Sequence, residues 1–256
     1  MPSVAVVRRS GLAVVVAAAV TAGVSSCGGV SDGAGSQAPT AATSPTSRTS
    51  VVSSPASLAA TLLDVNDRLA AQISYVITTT TSGGLTSTQV HNGDALSLDQ
   101  TDDYGHFQAI RTGQDVWVRN DNATIWGLDL QDPNAPAAAA GVDPASLVGR
   151  WVLVTGTRLA TEGLSTAKAA PVFDHPDDTT AGGHKTIRGT DTVTYTDPIS
   201  LKTVYLSTDP GALPIEVQST ANSTTSVALY SKYGSAPAVR APDPATVIGG
   251  TGLFPT

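Results

Sequence analysis

The chain has 256 residues, a formal net charge of −7 and a single cysteine, Cys27. An acidic surface repels nucleic-acid phosphates, so nucleic-acid binding is not expected, and one cysteine excludes a disulfide within the chain. Only two of the 21 acidic residues are glutamate, while Thr, Ser, Gly and Val abound. This balance favours strands and turns over long helices.

The first 26 residues have the pattern of an export signal. Arg8 and Arg9 precede an uncharged stretch that is rich in Ala and Val and runs to Ser26. Its apolar core, residues 11–23, would be roughly 20 Å long as a helix, shorter than the ~30 Å hydrocarbon layer of a bilayer. The pattern predicts a cleaved signal peptide over residues 1–26. Loss of the two arginines with it takes the formal charge to −9.

The signal ends in Val24-Ser25-Ser26-Cys27, which resembles a lipobox: an aliphatic residue and two small residues before a cysteine. This resemblance predicts that Cys27 becomes the first residue of the mature chain and carries two or three acyl chains such as palmitate. Two chains suffice for stable anchoring, because each buried methylene contributes about 0.8 kcal/mol. We therefore expect a protein that is lipid-anchored on the extracytoplasmic face of the cell membrane.

Residues 27–56 are predicted to form the acylated cysteine and a flexible linker. Of the 28 residues from 28 to 55, 22 are Gly, Ser, Ala, Thr or Pro, too few apolar groups to offset the entropy of ordering. A flexible coil of this length has a root-mean-square span of about 30 Å. One folded domain is predicted over residues 57–244, followed by a C-terminal tail over 245–256.

The folded domain is predicted to begin with an amphipathic helix. Asp64 and Arg68 lie four residues apart on its polar face. The apolar stripe that is expected to face inward repeats at steps of three or four residues and consists of Leu58, Leu62, Val65, Leu69 and Ile73.

After Ile73 the pattern changes to a period of two, which predicts strands. The first group of strands is predicted near residues 74–81, 86–91, 95–99, 106–112 and 115–119, with a hairpin turn at 112–114. In the middle we expect a loop at 132–141, a short helix at 143–148, a strand at 149–154 and a helix at 158–169. A surface loop at 174–183 and a meander follow, with strands near 186–196, 203–208, 214–220 and 225–233.

This order of elements, together with several short segments, resembles the LppX/LprG group of actinobacterial cell-envelope lipoproteins, which are similar to LolA-like periplasmic carriers. The segments are GQDVWVR (113–119), GRWVLV (149–154), VYLST (204–208), LPIEV (213–217), SVALYSKYG (226–234) and APDP (241–244). The resemblance implies an α+β fold: a curved open antiparallel β-sheet, or half-barrel, with helices covering its concave face. It also implies an apolar cavity for envelope lipids or lipoglycans.

Six large apolar residues are the candidates for lining such a cavity: Leu62, Leu69, Ile73, Trp117, Trp126 and Trp151. The same residues can instead fill a core. Core filling is the preferred interpretation for the three tryptophans, because Trp117 and Trp151 lie in strand-like runs. Two hypotheses follow, a lipid-binding carrier and a non-enzymatic interaction or sensor module whose core is filled.

Motifs for catalysis or metal binding are weak in this sequence. The cluster of His175, Asp177, Asp178 and His184 matches no spacing of a metal site, and residues 163–167 lack the last glycine of a nucleophile elbow. Carboxylate pairs such as Asp102-Asp103 lie in turn-like sequence. We therefore expect no enzymatic activity, no metal and no cofactor, and we expect a monomer.

Overall fold

The computed structural model describes residues 55–130, 142–154, 171–209 and 211–248. Within them the strands form one 12-stranded sheet. The α-helices are α1 (Pro55–Ala70) and α2 (Ala123–Leu130), and single 3-10 turns lie at Pro144–Leu147, within the short helix predicted at 143–148, and at Pro244–Thr246. The strands are β1 (Ser74–Thr81), β2 (Thr86–Asn92), β3 (Ala95–Asp102), β4 (Gly105–Thr112), β5 (Asp115–Asn120), β6 (Trp151–Leu153), β7 (Thr180–Ile187), β8 (Thr190–Asp197), β9 (Lys202–Ser207), β10 (Pro214–Ala221), β11 (Thr224–Ser231) and β12 (Val247–Ile248).

The sheet is open and has the order β12-β6-β5-β4-β3-β2-β1-β11-β10-β9-β8-β7. Neighbouring strands are antiparallel, apart from the parallel pair β12 and β6. Two meanders, β1 to β5 and β7 to β11, therefore join where β1 pairs with β11. The predicted α+β fold, a curved open sheet with helices on one face, is confirmed.

The strand registers define an inner face, which the helices cover. Residues paired across antiparallel strands point to the same side of the sheet. Ile77 of β1 and the residues of its strand that alternate with it therefore share a face with their partners on the neighbouring strands. Followed from strand to strand, this face contains the side chains that pack on α1 and α2. These inner-face residues include Tyr75, Ile77 and Thr79 (β1), Ser87, Gln89 and His91 (β2), Leu96 and Leu98 (β3), Phe107 and Ala109 (β4), Val116 and Val118 (β5), Val204 (β9), Val217 (β10), and Ala228 and Tyr230 (β11).

The first apolar cluster lies on the inner face between β3 and β6. Trp126 of α2 is its largest buried side chain, and its indole Nε1 donates to the Asn120 carbonyl at 3.3 Å. The buried members of cluster 1 are Leu96, Leu98, Phe107, Ala109, Val116, Val118, Trp126, Leu147, Val152 and Val154.

The second apolar cluster lies under α1. The amide of Asn66 joins α1 to the segment before β7, since it donates to the Phe173 carbonyl at 2.9 Å and accepts from the Val172 amide at 3.0 Å. The buried members of cluster 2 are Leu62, Val65, Leu69, Val172, Phe173, Val204, Leu206, Val217 and Ala228.

Most of the predicted strands are confirmed within a few residues, two predictions about the elements are corrected, and one helix was not predicted. The predicted strand 186–196 is a hairpin, because Arg188 and Gly189 both have positive φ, 49° and 82°, as the tight turn between β7 and β8 requires. The predicted surface loop 174–183 ends earlier, at Thr180, where β7 begins, and Asp174 in it is largely buried.

The sequence patterns did not predict α2. The helix has only eight residues and contains Gly127, so its apolar period is too short to recognise. A start signal is nevertheless present: the Asn122 side chain accepts from the Thr124 amide at 2.9 Å, as an N-cap does. The helix predicted at 158–169 and the loop predicted at 132–141 lie outside the described residues.

The C-terminal segment runs along the outer face of the sheet, the face opposite the helices. Asn92 donates to the carbonyls of Ala236 and Pro237, both at 3.2 Å, and the Ala236 amide donates to the Ser74 hydroxyl at 3.3 Å. The chain then reaches the far edge, where Val247–Ile248 pairs with β6. Part of the predicted tail, residues 245–256, is thus an edge strand.

Candidate ligand-binding face

The structure distributes the six predicted lining residues over different surfaces. Leu62 and Leu69 are fully buried in cluster 2, and Trp126 is fully buried in cluster 1. Three of the six predicted residues therefore lie over the inner face, two of them in cluster 2 and one in cluster 1.

The other three residues do not lie on the inner face. Ile73 is 76% exposed, because α1 ends at Ala70 and the helical stripe ends with it. Trp117 pairs with Leu153 of β6, and Trp151, two residues earlier on β6, lies on the same outer face. Ile73, Trp117 and Trp151 therefore do not share the face that Leu62, Leu69 and Trp126 occupy.

A band of polar side chains separates the two apolar clusters on the inner face. We define the polar band as Tyr75 and Thr79 of β1 with Ser87, Gln89 and His91 of β2. Four of these five are buried, and Gln89 is half-buried. The sequence carries a signal for the band, since alternate positions of β2 are all polar, but the signal was not recognised as an inner face.

Tyr75 has the most unusual environment in the polar band. Its ring stacks on the His91 imidazole with centroids 4.3 Å apart and lies 6.2 Å from the Tyr233 ring. Burial, and secondarily the neighbouring Tyr230, raise the pKa of Tyr75 well above its ordinary value, so the phenol stays protonated. Its buried hydroxyl oxygen has no hydrogen-bond partner in the part of the chain that the structure describes. Because such an oxygen costs about 1 to 3 kcal/mol when unsatisfied, it is suited to bind a polar group of a ligand.

A polar network fixes the edge of the inner face near β8 and β9. Lys202 of β9 contacts Asp174 at 2.5 Å, and both side chains are largely buried. Asp197, which is fully buried, accepts from the Ser200 hydroxyl at 2.6 Å and contacts His175 Nδ1 at 3.1 Å. The segment that carries Asp174 and His175 is thus attached to the sheet by two ionisable pairs.

This network is not a catalytic triad in its geometry, although it contains a serine, a histidine and an aspartate. The Ser200 hydroxyl donates to Asp197 and not to His175, so the histidine is not placed to activate it. Among the described residues, no three His, Cys, Asp or Glu side chains are grouped closely enough to hold a metal ion. The network serves to position the chain.

Stability should depend on pH through Asp197. Burial opposes ionisation of this carboxyl, but hydrogen bonds from Ser200, His175 and the Ile199 amide outweigh it and lower its pKa below the ordinary value. A lowered pKa stabilises the fold at pH values above the unfolded-state pKa, about 3.9, and this stabilisation is lost as the pH falls through the folded-state pKa.

We therefore expect Asp197→Asn to lower the free energy of unfolding at pH 7, and the difference from the unsubstituted protein to shrink below about pH 4. Urea unfolding between pH 3 and pH 7 measures this. The same comparison in a His175→Asn background separates the contribution of the Asp197 carboxylate to the pH dependence from that of His175. A difference that stays constant over this pH range would contradict the assignment.

The comparisons with known proteins concern the fold. No family model matches the sequence, and no curated protein matches it. Among solved structures, the chain is similar to the lipoprotein LppX of Mycobacterium tuberculosis, with 16% identity, a TM-score of 0.47, and coverage of 73% of this chain and 100% of that one. LprF of Mycobacterium bovis is similar at 12% identity and a TM-score of 0.44, over 74% of this chain and 98% of that one.

An uncharacterized conserved protein of Thermus thermophilus is also similar, at 10% identity and a TM-score of 0.38, over 75% of this chain and 98% of that one. Cys27 lies outside the described residues, and within them no helix is long and apolar enough to cross a membrane.

Proposed function

We propose that this chain is an envelope lipoprotein, anchored to the membrane through Cys27, whose half-barrel binds a lipid or lipoglycan between the inner face of the sheet and its helices. The lipobox-like sequence at Val24-Ser25-Ser26-Cys27 supports the anchor. The protein acts by binding and carries out no chemical step.

The observation that carries the proposal is the division of the inner face. Clusters 1 and 2 offer apolar surface on two sides of the polar band, and Tyr75 offers a buried hydroxyl without a partner among the described residues. An amphiphile matches both, since its acyl chains gain about 25 cal/mol per Å² on leaving water, and its polar group can accept the Tyr75 hydrogen bond. Leu62, Leu69 and Trp126 are the proposed lining residues on the two apolar sides.

A second function has one observation in its favour. The side chains of Leu62, Leu69 and Trp126 are fully buried against neighbours of this same chain, as expected of a filled core. A chain with a filled core would act as an interaction or sensor module of the envelope, and its loops would carry the contacts.

Lipid extraction separates the two functions. The chain from residue 28 onward, exported behind an ordinary secretory signal from an actinobacterial host, carries no acyl anchor; we call this the unacylated chain. After purification without detergent, organic extraction and mass spectrometry should recover about one amphiphile per protein. We expect Tyr75→Phe to lower the occupancy about tenfold, since a hydrogen bond is lost where the hydroxyl would be desolvated.

The control is Tyr104→Phe, which removes a hydroxyl from an exposed tyrosine and should leave the occupancy unchanged. Absence of any extracted amphiphile from the unsubstituted, unacylated chain would contradict lipid binding and favour the interaction module.

A further inference from the structure

Exposed apolar side chains are concentrated at one end of the sheet. This end holds the loops β1–β2, β3–β4, β8–β9 and β10–β11 and the turn before β6, because successive antiparallel strands return the chain to it; we call it the loop rim. The large hydrophobic residues exposed in the described part of the chain are Leu63, Ile73, Tyr104, Val148, Ile199 and Leu201. Four of these six, Tyr104, Val148, Ile199 and Leu201, lie in loops of the rim.

The β8–β9 loop presents two of them together. Ile199 and Leu201 are 57% and 60% exposed in the four-residue connection between Asp197 and Lys202. The loop is rigidly held, because the buried Asp197 carboxylate accepts from the Ile199 and Ser200 amides at 2.9 and 3.0 Å. The side chains of Ile199 and Leu201 are therefore held in the solvent-facing position.

Leu201 also adopts a conformation that its side chain disfavours. Its φ is +52°, in the left-handed region, which costs a residue with a Cβ about 1 to 2 kcal/mol. Burial does not compensate for this cost, since the side chain is exposed. Because neither burial nor backbone preference accounts for a leucine here, a contact between its side chain and another molecule is the simpler explanation.

Tyr104 extends the rim on its other side, 57% exposed at the tip of the β3–β4 loop. Four strands separate the two loops, which corresponds to about 24 Å at the usual strand spacing. Tyrosine is favoured at membrane surfaces, where its ring meets the apolar layer and its hydroxyl meets water. The apolar groups of the rim are thus spread over a broad edge and do not form a small pocket.

We infer that the loop rim docks on the surface of the lipid bilayer, with Ile199 and Leu201 inserted at the head-group level. This inference rests on the proposed function, because the lipid anchor at Cys27 would hold the domain beside the bilayer on which the rim docks. The 27 residues between Cys27 and the start of α1 at Pro55 reach at most about 95 Å when extended, so the bilayer stays within reach at a high effective concentration. Ile73 and the end of α1 lie at the opposite end of the sheet and face away.

The charge of the rim indicates which bilayer it prefers. Asp102 and Asp103 immediately precede Tyr104, and their carboxylates repel anionic head groups. We therefore expect docking to be stronger on phosphatidylcholine vesicles than on vesicles that contain phosphatidylglycerol.

The test compares two exposed isoleucines at opposite ends of the sheet. Acylation consumes Cys27, the only cysteine, so Ile199→Cys or Ile73→Cys in the full acylated chain gives one labelling site for an environment-sensitive dye. On phosphatidylcholine vesicles, the dye at position 199 should shift to the blue and resist aqueous quenchers, whereas the dye at position 73 should do neither. Equal spectra at the two positions, or a blue shift at 199 that persists without vesicles, would overturn the inference.

A second measurement avoids the dye and the anchor. In vesicle flotation the unacylated chain should bind phosphatidylcholine vesicles weakly, and Ile199→Ser with Leu201→Ser should lower the partition coefficient at least about tenfold, whereas Ile73→Ser should leave it unchanged. Equal loss in both variants, or no binding by the unsubstituted chain, refutes docking through the rim. The amphiphile content of the same samples is read separately, so failure of docking and failure of lipid binding are distinguishable.

Discussion

Replacing Leu62 with alanine is expected to lower the free energy of unfolding by about 2 to 5 kcal/mol, the range found for fully buried leucines. Leu62 lies in the middle of α1 and packs in cluster 2 against residues of β9 and β10 such as Val204 and Val217. The loss combines the transfer energy of the removed methyl groups with the cavity that they leave. Chemical denaturation followed by circular dichroism measures it.

The neighbouring residue gives a matched control. Leu63 is 51% exposed on the same helix, so Leu63→Ala changes helix propensity by the same amount and should cost less than about 0.5 kcal/mol. If the two alanine variants lost the same stability, packing of α1 on the inner face would be refuted. Repeating both measurements after lipid extraction shows whether a ligand contributes to the burial of Leu62.

Replacing Lys202 with methionine is expected to cost about 3 to 5 kcal/mol, because it leaves a buried carboxylate without its cation. The Lys202 ammonium is 2.5 Å from Asp174, and the two side chains are only 4% and 13% exposed. Methionine retains most of the aliphatic stem, so the loss reports mainly on the charge. Urea unfolding at pH 7 measures the effect.

Two further variants test the origin of this loss. In the double variant with Asp174→Asn, most of the stability should return, since the unpaired charge is gone. The pair Asp64 and Arg68 on α1 is the control: its atoms are 3.1 Å apart, but the side chains are 66% and 30% exposed, and Arg68→Met should cost about 0.5 kcal/mol at most. A Lys202→Met variant as stable as Arg68→Met would refute the buried pair.

Local patterns predicted the secondary structure well where they were long. The apolar stripe of α1 repeats over about three helical turns, and strands such as β1 and β10 have eight residues bounded by turn residues. The hairpin between β4 and β5 was predicted from its turn, and Gly113 has the positive φ of 60° that such a turn needs. Short or interrupted patterns failed, as at α2 and at Arg188-Gly189.

The candidate site was predicted less well, because apolar character does not identify a face. Trp117 and Trp126 are nine residues apart and equally apolar, yet they lie on opposite faces of the sheet. Alternation along β5 groups Trp117 with every second residue, but it does not say which group meets the helices. Ile73 continued the helical period in the sequence, whereas the helix itself ended at Ala70.

The sequence by itself determined the order of most helices and strands, which depends on neighbouring residues, and it predicts an export signal that ends in a lipobox-like segment at Cys27. Only the tertiary structure decided which strands pair, that Tyr75 meets His91 on the inner face, and that Lys202 meets Asp174 across 28 positions. The physical reason is that these contacts arise when the two meanders join at β1 and β11 and the helices cover one face. The grouping of Ile199, Leu201 and Tyr104 at the loop rim arises in the same way, from strands that return distant loops to one end of the sheet.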